Sequence, residues 1–82
     1  MKNFEERYPD GTVEIFSDEK IFAEGFLKIS EYLPETVKLR YKKYSLRITG
    51  DMLHISDMYE KSVTVTGKIL TLEFERSERI EN

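Results

Sequence analysis

His54 is the only histidine in this 82-residue chain, and Asp51 and Asp57 flank it. A histidine between two carboxylates is raw material for a metal site or a proton relay, provided the side chains converge. The local pattern places Asp51 in a turn and Asp57 at the start of a loop, so neither is expected to reach the imidazole. No nucleophile elbow, phosphate-binding Gly-rich loop or zinc-ligand spacing occurs. The chain has no cysteine, which removes thiolate catalysis, thiolate metal sites and disulfides. The expectation is a non-enzyme with no catalytic residue, no metal and no cofactor, and with His54 on a polar strand face opposite Arg47.

Two other groups of residues are suited to binding. Lys38, Arg40, Lys42, Lys43 and Arg47 fall within ten residues that contain no acid, in a chain of net charge −3. Lys38 and Arg40 alternate with apolar residues and therefore project together, a stripe fit for an acidic partner, anionic lipid headgroups or RNA. The plainer reading is a solvated face neutralised by Glu24, Glu31 and Glu35 of neighbouring strands. Tyr41 and Tyr44 lie beside the stripe, on the core side of a hairpin end rather than as a base-stacking platform. Phe16 and Phe22 have outward parity and Phe26 follows Gly25. The three form either an exposed apolar interface for a protein partner or a second copy, or one buried end of a barrel. Met52 and Ile69 are placed on the same outer face.

The elements that must hold these residues read as short strands throughout. Val13 and Ile15, then Ile21 and Ala23, alternate around Ser17, Asp18 and Glu19 as a first hairpin. Gly25 marks a bulge or bend. Leu27 and Ile29 lead to a break at Leu33, Pro34 and Glu35. Val37 and Leu39 return through a tight turn at Lys42 and Lys43, which sets Leu39 against Leu46 and Val37 against Ile48. Two similar stretches follow, SLRITGDMLHI at 45–55 and SVTVTGKILTL at 62–72. In each, the apolar parity switches after Thr-Gly, and a type II′ turn at Gly50-Asp51 or Gly67-Lys68 makes that switch naturally. On that reading Ile48 faces Leu53, Val65 faces Leu70, and residues 57–61 form a longer connection.

The sum is an all-β antiparallel meander of about eight short strands. Its apolar face runs from Val13 and Ile15 through Leu70, Leu72 and Phe74, and needs cover. The sheet is expected either to curl into a barrel or roll, or to pair sheet-on-sheet in a dimer. Residues 1–11 read as a short extension, 12–75 as one domain and 76–82 as a frayed charged tail, the aperiodic run beginning at Glu75. No stretch is long and apolar enough to span a bilayer, no leader is recognisable, and a cytoplasmic chain is expected. The net charge makes nucleic acid a poor default partner, and a small nucleic-acid-binding barrel using the basic stripe is the alternative.

The ordered set Ile21-Phe22-Ala23-Glu24, Ile29-Ser30-Glu31-Tyr32, Val37-Lys38-Leu39-Arg40, Leu46-Arg47-Ile48-Thr49-Gly50, Leu53-His54-Ile55 and Val63-Thr64-Val65-Thr66-Gly67-Lys68-Ile69 through Phe74 resembles the YabP/YqfC sporulation protein family, the YqfC branch more closely. Members of that branch usually carry a longer, basic N-terminal segment than the ten or so residues present here. The resemblance implies a non-enzymatic interaction and assembly module of forespore envelope or spore coat morphogenesis. It further implies the mother-cell compartment, at the forespore membrane periphery, and a membrane-protein partner.

Overall fold

The computed structural model describes residues 11–76, and hairpins stand wherever a polar turn separates two alternating runs. β1 (Thr12–Ser17) and β2 (Lys20–Glu24) pair around Asp18 and Glu19, and β3 (Lys28–Leu33) and β4 (Thr36–Arg40) pair around Pro34 and Glu35. β4 then turns through Lys42 and Lys43 into β5 (Tyr44–Tyr59), with Leu39 against Leu46 and Val37 against Ile48 as the alternation predicts. β5 and β6 (Ser62–Arg76) form one long hairpin around Glu60 and Lys61. Every pairing is antiparallel, the sheet order is β1-β2-β6-β5-β4-β3, and no helix occurs among the described residues.

The all-β antiparallel expectation holds, but the described residues form six strands rather than about eight, and not a simple meander, because β2 pairs with β6 rather than β3. The difference lies at Gly50 and Gly67, which are not turn-makers. Each sits inside a strand that continues for at least nine more residues. The parity switch comes from β-bulges instead, since one unopposed residue also moves every later side chain to the other face. Gly50 pairs with Ile69, so that Leu70 is left over between that pair and Thr49 with Thr71. Asp51 pairs with Lys68 and His54 with Thr66, which sets Met52 and Leu53 against Gly67 alone. Ile48 therefore faces Leu72 rather than Leu53, and Val65 faces Ile55 rather than Leu70. Residues 57–59 belong to β5, and Glu75 and Arg76 belong to β6 rather than to a frayed tail. Residues 1–10 and 77–82, assigned to the extension and the tail, lie outside the described residues.

At the bulges the two long strands bend across each other with almost no space between their backbones. A Cβ on Gly50 would run into the carbonyl oxygen of Lys68, and one on Gly67 would lie 2.5 Å from that of Met52. Gly67 also holds φ at 128°, a value open to glycine and costly for other residues. Bulging frees backbone N–H groups from the ladder, and the two hairpin turns supply their acceptors. Gly50 and Leu53 donate to the carbonyls of Glu35 and Pro34, while Gly67 and Ile69 donate to those of Glu19 and Asp18.

Each bend thus carries a docked hairpin, and the sheet folds over on itself in two halves. One half comprises β1, β2, residues 62–66 and residues 54–59; the other comprises β3, β4, residues 44–49 and residues 71–76. Ile21, Ala23, Val63 and Val65 from the first pack in one core with Val37, Leu39, Leu46 and Ile48 from the second. The apolar face is covered within one chain, and no second copy is needed to cover it. The sheet does not close into a barrel, because β1 and β3 remain its two edges.

Replacing Gly50 with Ala is expected to cost at least about 3 kcal/mol, because the backbone it meets cannot give way. A glycine needed only for a turn would lose about 1 kcal/mol. Urea denaturation of the variant distinguishes the two.

Candidate functional site

The basic stripe divides when its residues are placed on the sheet. Lys38 and Arg47 stand opposite each other on β4 and β5, facing away from the core. Both reach Glu75 of β6, with Lys38 Nζ 3.2 Å from Oε1 and Arg47 Nε 3.2 Å from Oε2, while Glu73 Oε1 lies 4.0 Å from Arg47 Nε. The hydrogen bond from Lys38 and then that from Arg47 hold the Glu75 carboxyl below its ordinary value. Glu73 and Glu75 are therefore the acids that meet Lys38 and Arg47, beside the expected set of Glu24, Glu31 and Glu35. Of those three, only Glu31 stands in register with Lys38. Arg40, Lys42 and Lys43 are exposed at the end of β4 and in the following turn.

The three phenylalanines do not form one patch. Phe26 is 4% exposed and meets Tyr41 edge-on, with ring centroids 6.3 Å apart. Phe22 is half-buried on the outer face in line with Thr64. Phe16 sits in a bulge of β1, 60% exposed, with the Lys20 ammonium 5.7 Å from its ring centre. Ile69 packs against the core and its neighbour Leu70 is 67% exposed, the reverse of the parity expectation, because Leu70 is the bulged residue. Met52 is exposed as expected.

His54 also departs from its expected surroundings. It lies opposite Thr66 rather than Arg47, and its Nδ1 is 3.3 Å from the Tyr32 hydroxyl. That hydroxyl accepts the N–H of Ile55 at 3.0 Å, so β3 reaches over the outer edge of β5 and ties it down. Asp51 is in register with Lys68 and Asp57 with Thr64. Among the described residues no three His, Asp or Glu side chains are grouped to hold a metal ion.

A hollow lies beside β1 and Tyr44. Tyr41 is buried as its parity requires, stacks on Tyr44 at 4.8 Å and donates its hydroxyl to the Thr12 carbonyl at 3.2 Å. Burial first, and then the nearby Tyr44 and Glu24, push that hydroxyl's pKa well above the usual tyrosine value. Tyr44 in turn meets Phe74 edge-on at 5.4 Å, and Phe74 is 59% exposed. The aromatic row thus runs from the core to the surface and ends in an open groove of about 460 Å³ between β1 and β6, lined by Val13, Glu14, Glu24, Tyr44 and Phe74. Sequence reasoning missed both the groove and Glu75, although continued alternation through Leu72, Glu73, Phe74 and Glu75 was the available signal for the latter.

Residues 8–81 match the YabP family. The chain belongs to that family. Membership associates this YabP-family chain with sporulation. Neither a curated protein nor a solved structure matches it. No helix in the described part is long and apolar enough to cross a membrane.

Because Glu75 titrates lower in the folded chain than in the unfolded one, its ion pairs stabilise the fold above the ordinary carboxylate range. That contribution disappears as pH falls through the depressed folded value. Glu75→Gln is therefore expected to lower the melting temperature at pH 7 and to approach the parent chain in acid. Added salt at neutral pH should narrow the same difference.

Proposed function

We propose that this YabP-family chain acts by binding other proteins, as an assembly module in forespore envelope or spore coat morphogenesis. The observation that carries the reading is the disposition of its large apolar side chains. The core is complete within one chain, yet Ile15, Phe16, Met58, Tyr59, Leu70 and Phe74 are all at least half exposed on or near open strand edges. Apolar side chains beside unpaired backbone favour association, and a chain of this size has little reason to carry so many unless a partner covers some of them. Binding rather than catalysis is the role such a surface serves.

Within the family we place the chain nearer the YqfC branch, on the run Ile29-Ser30-Glu31-Tyr32 and the two Thr-Gly stretches. The placement brings with it the mother-cell compartment and a membrane-protein partner at the forespore periphery. The Tyr32 of that run is the residue whose hydroxyl ties β3 to β5, which gives the sequence element a structural task.

Deletion of the encoding gene is expected to lower the yield of heat-resistant spores while leaving vegetative growth unchanged. Affinity purification of the tagged chain from sporulating cells should recover an envelope or coat-assembly protein. Normal spores from the deletion strain would refute the assignment.

A further inference from the structure

The fold repeats one arrangement twice, and one of the differences between the two copies bears on which flank stays open. By register Ile15 on β1 is the counterpart of Tyr32 on β3, because Ile15 pairs with Ile21 as Tyr32 pairs with Val37, and Asp18 and Glu19 cap the bend of β6 as Pro34 and Glu35 cap that of β5. On the β3 flank the Tyr32 hydroxyl spans the gap to the edge of β5 and accepts the Ile55 N–H. Ile15, which is exposed at that position, has no hydroxyl to offer, and the β1 flank is left with the groove. Two strand edges face that groove. Among the described residues β1 pairs only with β2, and residues 70–76 of β6 pair on one side only, since β2 leaves β6 after Thr66. Unpaired edges of this kind accept an added strand, whose backbone supplies the missing ladder while alternate side chains enter the pocket.

The charges on the walls state what the added strand must carry. Glu14 and Glu24 line the groove, no basic residue lines it among the described residues, and Glu73 stands on the open strand with its side chain 60% exposed. Self-pairing of residues 70–76 centred on Glu73 would set that carboxylate against its own copy, which disfavours a second chain as the occupant. Phe74, Tyr44 and Val13 give the floor an apolar surface for every second side chain.

We propose that the groove between β1 and residues 70–76 of β6 is an acceptor site for an extended segment of a partner protein in which apolar residues alternate with Lys or Arg. This assignment rests on the binding role proposed above and specifies its surface and the partner's chemistry.

The test uses the full chain and three synthetic octapeptides: alternating Val and Lys, alternating Val and Glu, and the Val-Lys peptide with central prolines. Binding is read by fluorescence anisotropy and by amide hydrogen exchange. The Val-Lys peptide should bind at least about tenfold more tightly than either other peptide, and should slow exchange at those amides of residues 70–76 that do not bond to β5. The double variant Glu14→Gln with Glu24→Gln, checked for unchanged folding by circular dichroism, should lose most of that preference. Equal binding of all three peptides, or protection elsewhere, would overturn the proposal. So would a free chain in which those 70–76 amides that do not bond to β5 are already protected, because a second copy or the chain's own termini would then occupy the edge. A sporulation defect combined with any of these negative results would leave the assembly role standing and remove only this site.

Discussion

The whole arrangement depends on the close backbone approach where β5 and β6 bend across each other. A strand can reverse its inward face only by turning back or by bulging, and here both long strands bulge at the same place. The crossing requires that neither Gly50 nor Gly67 carry a side chain, since each would strike a carbonyl of the other strand. Bulging also releases backbone donors from the ladder, and such donors need acceptors. The carbonyls of the two hairpin turns do this, so the same constraint that bends the long strands fixes where β1-β2 and β3-β4 dock. The core between the halves follows from that docking.

The result is close to two-fold within one chain. Ile21 with Val65 in one half corresponds to Val37 with Ile48 in the other, at the same distance from the bend. Function is more readily sought where the correspondence fails. Lys38 and Arg47 give the outer face of one half a charged row that Glu73 and Glu75 answer. Tyr32 ties one flank shut, whereas on the other the row of Tyr41, Tyr44 and Phe74 runs out into an acidic-walled groove. A near-symmetric scaffold thus has two unlike flanks.

Legibility followed the range of the interactions. The register through Lys42 and Lys43 could be read in advance, because a two-residue turn with apolar residues of matching parity on both sides admits one pairing that keeps them on one face. Asp18 with Glu19 and Pro34 with Glu35 were likewise visible as turns. Phe26 was not assignable, because its burial depends on Tyr41, which comes from a strand end fifteen residues away. Glu75 lay inside a run of charges that resembles a loose tail, and only Lys38 and Arg47 on neighbouring strands give it partners. The groove had no local signature, since β1 and the end of β6 meet only after the sheet has folded over.

By itself the sequence determined the class of structure, the strand-forming segments, the inward-facing residues of β2, β4 and the first half of β5, and the family. Period-2 alternation and turn chemistry are local, and the ordered motifs are linear. Tertiary structure decided whether each Thr-Gly parity switch is a turn or a bulge, and with it the strand count, the exposure of Leu70 and the open flank. A glycine turn and a glycine bulge look alike over five residues. They are separated only by the partner strands, because a bulge here lets β5 and β6 pair with each other almost end to end while the distant hairpin turns satisfy the amides it releases.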